Sequence, residues 1–327
     1  MIVQVYETEA ASAHIRPVNL PRDLTALADL IETAFGDELV TSDSHMVQDM
    51  RQAALLGGLI WMASGARLSG FVWVQDNQIV GNITLSQDPH AWSHWFISNV
   101  AVLPGYRGQG IAGRLLDTAL EHVHANHGRR VRLQVRQDYE TACELYRRRG
   151  FAAFDTIYEL GLAARHLGTE HSQADKRLRP IRPRDSQALW KLVCESVASA
   201  LLEQQLLYAG DYRRTLLSQL DNGLERFLSG RSRYEWVGYT GRQLAAYGVL
   251  KADIFRGPHE CELVVIPGER GQWEASLIGQ IIKCASDGTP QNVHANVSSS
   301  HPEALAALQE VGFTTQRVLA QMSLEIR

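Results

Sequence analysis

The stretch Val100-Ala101-Val102-Leu103-Pro104-Gly105-Tyr106-Arg107-Gly108-Gln109-Gly110-Ile111-Ala112 decides how the chain is read. An apolar, strand-like run enters a glycine-bearing turn. Beyond it Ile111, Leu115, Leu116, Ala119, Leu120 and Val123 recur at helical spacing, which predicts an amphipathic helix over Gly110–Ala125. The backbone N–H groups from Arg107 to Ala112 would then point outward unpaired, at the positive end of the helix dipole. Glycines at 108 and 110 take Cβ atoms out of the line of approach, so the turn can cradle a pyrophosphate. A connection whose glycines only turn the chain would leave the same pattern, because short glycine patterns are weak signals alone.

Working outward, the preceding sequence predicts a short strand over Ala13–Val18 and a helix capped near Asp23 with Leu24, Leu27, Leu30 and Ile31 on one face. A second helix is expected around Ser44–Ala54. Strands follow over Gly70–Val74, Ile79–Ser86 and His94–Val102, the first two joined through the hairpin signal Asp76-Asn77. After the glycine turn and its helix come a strand over Val131–Arg136 and a helix over Tyr139–Arg149, ended by Gly150. Ala152–Leu162 closes the unit as β structure. The order β-α-α-β-β-β-α-β-α-β describes a mixed α/β sandwich.

The chain carries this unit twice. His14-Ile15-Arg16-Pro17 has a counterpart in Pro180-Ile181-Arg182-Pro183, an offset of 166 residues at the isoleucine. Pro104-Gly105-Tyr106-Arg107-Gly108-Gln109-Gly110 has one in Pro267-Gly268-Glu269-Arg270-Gly271-Gln272-Trp273 at an offset of 163, and Gly150-Phe151 recurs as Gly312-Phe313 at 162. Such order at nearly constant offset indicates a tandem duplication. The polar stretch between Leu162 and Leu178 lacks a sustained apolar period and is expected to be an exposed linker. The expected domains are residues 1–163 and 178–327, with 164–177 between them.

Composition narrows the function classes. With 327 residues, 45% hydrophobic and 21% charged, the chain can bury the cores of two domains, and a net charge of −4 gives no electrostatic footprint for nucleic acid. The longest apolar runs, Ala53–Leu59 and Val100–Leu103, fall far below the roughly 18 residues a membrane helix needs, and MIVQVYETEA is not a secretory signal. A cytoplasmic protein with neither a membrane nor a nucleic-acid partner is expected. Cys143, Cys194, Cys261 and Cys284 form no C-x-x-C pair and no zinc spacing, so they read as buried apolar residues, and no metal is expected.

Arg107-x-x-Gly110-x-Ala112 after a V-A-V strand, some 35 residues before Ala142-x-x-Leu145-Tyr146-x-x-x-Gly150-Phe151, resembles the GCN5-related N-acetyltransferase (GNAT) family. The first segment is similar to its acyl-CoA pyrophosphate motif, the second to its later A-x-x-L-Y-x-x-x-G-F motif. The resemblance implies two tandem GNAT-like domains, each a splayed mixed sheet flanked by helices, with acetyl-CoA as donor and a primary amine of a small molecule or peptide as acceptor. It implies that Val100, Ala101 and Val102 lie along the pantetheine arm and that Arg107, Gly108, Gln109, Gly110, Ile111 and Ala112 hold the pyrophosphate. It also implies that Tyr146 protonates the departing thiolate, a task that suits a phenol neutral at pH 7. The chain departs from the family pattern twice. Tyr139 stands where an asparagine often contacts the cofactor, and Asn99 stands nearest the position of a strand glutamate base. The base is then a water relay, one of Asp88, His90 and His94, or unnecessary if the amine arrives neutral. Asp37, Glu38, Asp43, His45 and Asp49 either line an acceptor site or form a solvated helix face.

In the second copy Trp273 aligns with Gly110 and is expected to obstruct the phosphate path, Leu308 replaces Tyr146, and Glu262 aligns with Asn99. The expectation is a catalytic first half and a degenerate second half, with an oligomer open. A non-catalytic acyl-CoA-binding or sensing protein, and a second half active through Glu262, are the alternatives.

Overall fold

The computed structural model describes residues 13–41, 68–167, 175–197, 212, 231–253, 257–288 and 290–326. In chain order the elements used below are β1 (His14–Pro17), α1 (Leu20–Thr41), β2 (Leu68–Gln75), β3 (Gln78–Gln87), β4 (His94–Val102), α2 (Ile111–Ala125), β5 (Arg130–Arg136), α3 (Glu140–Arg147) and β6 (Ala152–Leu162). They continue with β7 (Leu178–Pro180), α4 (Ser186–Ser196), β8 (Arg231–Thr240), β9 (Gln243–Asp253), β10 (His259–Val265), α5 (Glu274–Asp287), β11 (Val293–Ser298), α6 (Pro302–Glu310) and β12 (Thr314–Glu325). The expected helix around Ser44–Ala54 lies outside the described residues, as does part of the expected linker. No helix among the described residues is long and apolar enough to cross a membrane.

Two compact units emerge. The first comprises Met1–Gln134, Glu144–Ala152 and Met322–Arg327; the second comprises Val135–Cys143 and Ala153–Gln321. In the first, strands run in the order β1-β2-β3-β4-β5, antiparallel except for the parallel pair β4–β5. Asp76 and Asn77, with φ of 52° and 60°, form the tight turn between β2 and β3 that their sequence announced. In the second, the order β6-β11-β10-β9-β8-β7 repeats the scheme, with β10–β11 the parallel pair. The closing strand of the first sequence repeat, β6, thus pairs with β11 of the second. The end of β12 returns to the first unit, where Ile326 N–H donates to Arg129 O.

Core packing follows from side-chain period. α1 buries Leu24, Leu27, Ala28 and Ile31 on Val72 and Val74 of β2. α2 buries Ile111, Leu115, Leu116, Ala119 and Val123, and it approaches β3 so closely that a Cβ on Gly81 would meet Ile111 at 2.9 Å. α5 repeats this face with Leu277, Ile278, Ile281, Ile282 and Ala285.

The repeat is in the structure at a register the first landmark obscured. Arg16 bonds the buried Asp23 through both guanidinium nitrogens (2.6 and 2.8 Å), and Asn19 N–H donates to the same carboxylate. Arg179 forks onto Asp185 in the same way (2.8 and 2.8 Å), with Arg182 N–H as the backbone donor. The counterpart of Ile15-Arg16-Pro17 is therefore Leu178-Arg179-Pro180, 163 residues on, rather than Ile181-Arg182-Pro183. The similar triplet three residues later misleads because it too reads Ile-Arg-Pro. Arg179, against the opposing cost of burial and with help from Arg182 N–H and Tyr239, holds the Asp185 carboxyl down at about 2. That stabilisation is complete above the ordinary value of 3.8 and lost as pH falls through about 2. Asp185→Asn is expected to cost about 3 kcal/mol in urea unfolding at pH 7 by orphaning Arg179, a difference that shrinks when the measurement is repeated near pH 2.5.

Candidate active site

The turn between β4 and α2 is built around two left-handed glycines. Gly108 and Gly110 have φ of 79° and 76°, a region that L side chains rarely adopt, and the space over both is open, with no heavy atom within 4 Å of a built Cβ. Arg107 N–H closes the preceding turn on Pro104 O (3.3 Å), so it is not part of the outward set expected from sequence. Among the described residues no hydrogen bond uses the N–H groups of Gly108, Gln109, Gly110, Ile111, Ala112 or Gly113. These amides fit an anion such as a diphosphate, since both the unsatisfied donors and the helix dipole favour negative charge there. Arg114 fixes the turn from behind, donating to Gln109 O (3.0 Å) while lying 4.3 Å over the Trp73 ring. The Arg107 side chain folds back, its Nε donating to Val102 O (3.1 Å).

Upstream, β4 is kinked. Its pairing with β3 passes from Ala101↔Asn82 to Ser98↔Thr84, so Asn99 and Val100 together face the single residue Ile83. Asn99 takes the left-handed conformation at φ 49°, which asparagine tolerates better than most residues. The parallel pairing with β5 ends at Ile97↔Leu133, while β4 runs on to Val102. Val100 and Val102 are half-buried on this free end and Ala101 is buried. The strand therefore presents backbone rather than side-chain chemistry beside the glycine turn.

Tyr146 lies on the buried face of α3, 5% exposed, edge-to-face with Phe151 at 5.8 Å. Tyr139 is 43% exposed beneath Arg136, and its carbonyl accepts from Ala142 and Cys143 N–H at the start of α3. The other candidate bases sit elsewhere. Asp88 is buried and paired with Arg132 at 3.0 Å, and its second oxygen accepts from His90 N–H. His94 is buried at the opposite end of β4 from the kink, roughly 16 Å away at 3.3 Å per residue. Burial, with Arg132 and Arg130 close by, holds its imidazole below its ordinary value. Of the acidic set proposed for an acceptor, Asp43, His45 and Asp49 lie outside the described residues, as do the side chains of Asp37 and Glu38. Cys261 and Cys284 are poor nucleophiles, because burial, with nearby acids, pushes their thiols up to about 12 and about 11.

The second unit closes the same turn from within, though not as expected. The indole of Trp273 is turned inward, 2% exposed, among Ala245, Ala246, Val265 and Leu277, where a Cβ on Gly238 would meet it at 2.3 Å. By strand pairing Gly238 stands where the first unit has Trp73, and by helical phase Trp273 stands where it has Ile111. The two repeats thus place one tryptophan in the same layer from opposite walls, and the residue without a counterpart is Gly110. What occupies the amides is Glu274. Its carboxylate accepts from Gly271 N–H (2.8 Å) and Trp273 N–H (3.2 Å), while Gln272 N–H bonds Glu269 O. Its other oxygen meets His301 Nε2 at 2.8 Å. Burial works against the Glu274 carboxylate, but His301 and the backbone donors outweigh it and hold its pKa below the ordinary value. Arg270 is also turned in, onto the carbonyls of Ser300 and Ser196. Glu262, offered from sequence as a restored base, is held by Lys251 and faces Val249 in a strand pair without a bulge.

Residues 27–151 match the family model described as Acetyltransferase (GNAT) family. That segment is what the chain has in common with the GNAT family model. It is 29% identical over 90 residues to N-alpha-acetyltransferase 30 of Schizosaccharomyces pombe, a match over 27% of this chain and 60% of that protein's length. Among solved structures it resembles a tandem GNAT protein from the clavulanic acid biosynthesis pathway (TM-score 0.62, 16% identity, 96% of this chain and 98% of that one). It also resembles a GCN5-related N-acetyltransferase from Sphaerobacter thermophilus (TM-score 0.65, 14% identity, 96% of each chain). These likenesses extend the GNAT fold over both halves.

Removing the Glu274 carboxylate should be costly. Glu274→Ala strands the Gly271 and Trp273 amides and the buried His301, and is expected to lower stability by about 3 kcal/mol in denaturant unfolding. Gly110→Ala, at a left-handed but open position, should cost only about 1 kcal/mol. Equal losses from the two variants would contradict this assignment.

Proposed function

We propose that the chain transfers an acetyl group from acetyl-CoA to a primary amine by direct attack, with the donor held by the first unit. The observation that carries the reading is the contrast between the two glycine turns. One leaves its amides unpaired in open space, beside a strand that has parted from its neighbour. The other has taken its amides up with its own carboxylate.

Gly108 to Ala112 would hold the diphosphate, with Arg107 at the rim, and the free end of β4 from Val100 to Val102 would run along the pantetheine arm. Acetyl-CoA when bound supplies the activated thioester. Tyr146, buried at the first unit's end of α3, would hold a proton on its phenol oxygen for the leaving thiolate. Asn99 has no proton-accepting carboxylate, and Asp88, at the other end of β4, is committed to Arg132, so positioning of a neutral amine replaces a strong base. The likeness to an N-alpha-acetyltransferase makes a peptide α-amine the first acceptor to try, with small primary amines next. A non-catalytic acyl-CoA-binding protein is the second reading, favoured by the same lack of a carboxylate at the kink.

Titration calorimetry with CoA is expected to give one equivalent per chain, abolished by Gly110→Trp. Thiol release from acetyl-CoA on an amine panel should fall by about a hundredfold in Tyr146→Phe with CoA affinity preserved. Two equivalents, or binding that survives Gly110→Trp, would refute the location of the site. Binding without thiol release on every amine would favour the second reading.

A further inference from the structure

Asn82, on β3, is a polar residue in an apolar strand, and it is 1% exposed. Its Nδ2 donates to Asn99 O (3.0 Å) and to Thr84 Oγ1 (3.2 Å). Its Oδ1 is buried with no partner among the described residues. The bond to a carbonyl fixes which end of the side-chain amide is nitrogen, so the atom without a partner is the acceptor oxygen. A buried acceptor without a partner is destabilising, and the left-handed Asn99 adds strain. Two local costs converge on the one peptide, Asn99–Val100, that has no one-to-one partner on β3.

The peptide's planarity supplies the consequence. In a trans unit the C=O of Asn99 and the N–H of Val100 point in opposite directions. A donor that draws Asn99 O toward β3 therefore aims Val100 N–H away from it. We infer that Asn82 is a positioning residue for acyl transfer: by holding Asn99 O it fixes Val100 N–H as the donor that meets the thioester carbonyl as negative charge develops there. The inference rests on the reading of the first unit as the donor site.

The second unit provides an internal control. Leu103 N–H bonds Val80 O in one repeat and Ile266 N–H bonds Ala245 O in the other, which brings Asn82 into correspondence with Tyr247. Upstream, Ile97↔Leu133 corresponds to Cys261↔Ala295, so the second copy is one residue shorter between these two points. That missing residue is the bulge: β9 and β10 pair one-to-one from Glu260↔Lys251 to Val265↔Ala246. Where the chain has lost the kink it has also lost the asparagine, and Tyr247 instead bonds Glu235 and Arg233. The asparagine and the bulge it bonds are thus absent together from the second unit.

Infrared difference spectra of carbonyl-¹³C acetyl-CoA bound to the full chain test this without an acceptor. The bound carbonyl band of the wild type should lie below that of the free thioester, and Asn82→Ala should return it to the free position while CoA affinity changes less than about threefold. Asn82→Asp keeps the shape and adds a pH signature. Its carboxylate repels Asn99 O, whereas its protonated form donates, so the band should move back toward the wild-type position as pH falls. A band unmoved in Asn82→Ala overturns the inference, as does loss of affinity in parallel with loss of the shift. If Asn82→Ala does not fold, the pH response of Asn82→Asp decides: a pH-independent band overturns it. Failure of the wild type to bind acetyl-CoA at all would instead refute the proposed function.

Discussion

Backbone amides at the start of a helix have no partner within it, and the structure depends on how each repeat meets that requirement. The first repeat has two left-handed glycines with open space over both, and among the described residues no hydrogen bond uses the N–H groups of Gly108 to Gly113. The second brings in Glu274, which takes the amides of Gly271 and Trp273 and is itself secured by His301. A carboxylate and a phosphate answer the same electrostatic demand, so the second unit satisfies internally what, under the proposed function, the first would leave for a ligand.

The divergence between repeats was achieved without loss of packing. Trp73 on β2 and Trp273 at the start of α5 fill corresponding space from opposite walls, facing Ile111 and Gly238 respectively. Each ring also carries an arginine, Arg114 at 4.3 Å in one case and Arg177 at 4.6 Å in the other. Moving a large ring from strand to helix preserves core volume, which close-packed interiors require. The changes that alter chemistry are therefore two deletions, one at Gly110 and one in the β4 bulge, rather than the tryptophan.

Much of this was legible in the sequence. The strand–glycine–helix order, the hairpin at Asp76-Asn77, the α2 face and the duplication all follow from period and turn chemistry, because local preference and tertiary packing agree there. Trp273 was misjudged because alignment by neighbouring glycines says where a residue falls in the chain but not which way its side chain turns. Helical phase, with Leu277 and Ile278 matching Leu115 and Leu116, held that information. Asn82 was missed although Ile79-Val80-Gly81-Asn82-Ile83 places an amide inside an apolar run, a visible conflict with burial. The partners that make Asn82 and Glu274 meaningful are separated in sequence or set by loop geometry, and no spacing rule reports them.

The absence of a carboxylate at Asn99 then acquires a physical cause. That residue must adopt φ 49°, and asparagine bears this conformation at lower cost than glutamate would. Its contribution is a carbonyl directed at Asn82 rather than a side chain directed at an acceptor. A β4 strand organised around a held peptide can polarise an acyl group but cannot deprotonate an ammonium. Under the proposed function such a site would use an amine that is already neutral, so selection among acceptors would fall on amines of low pKa, as N-terminal α-amines are relative to lysine side chains.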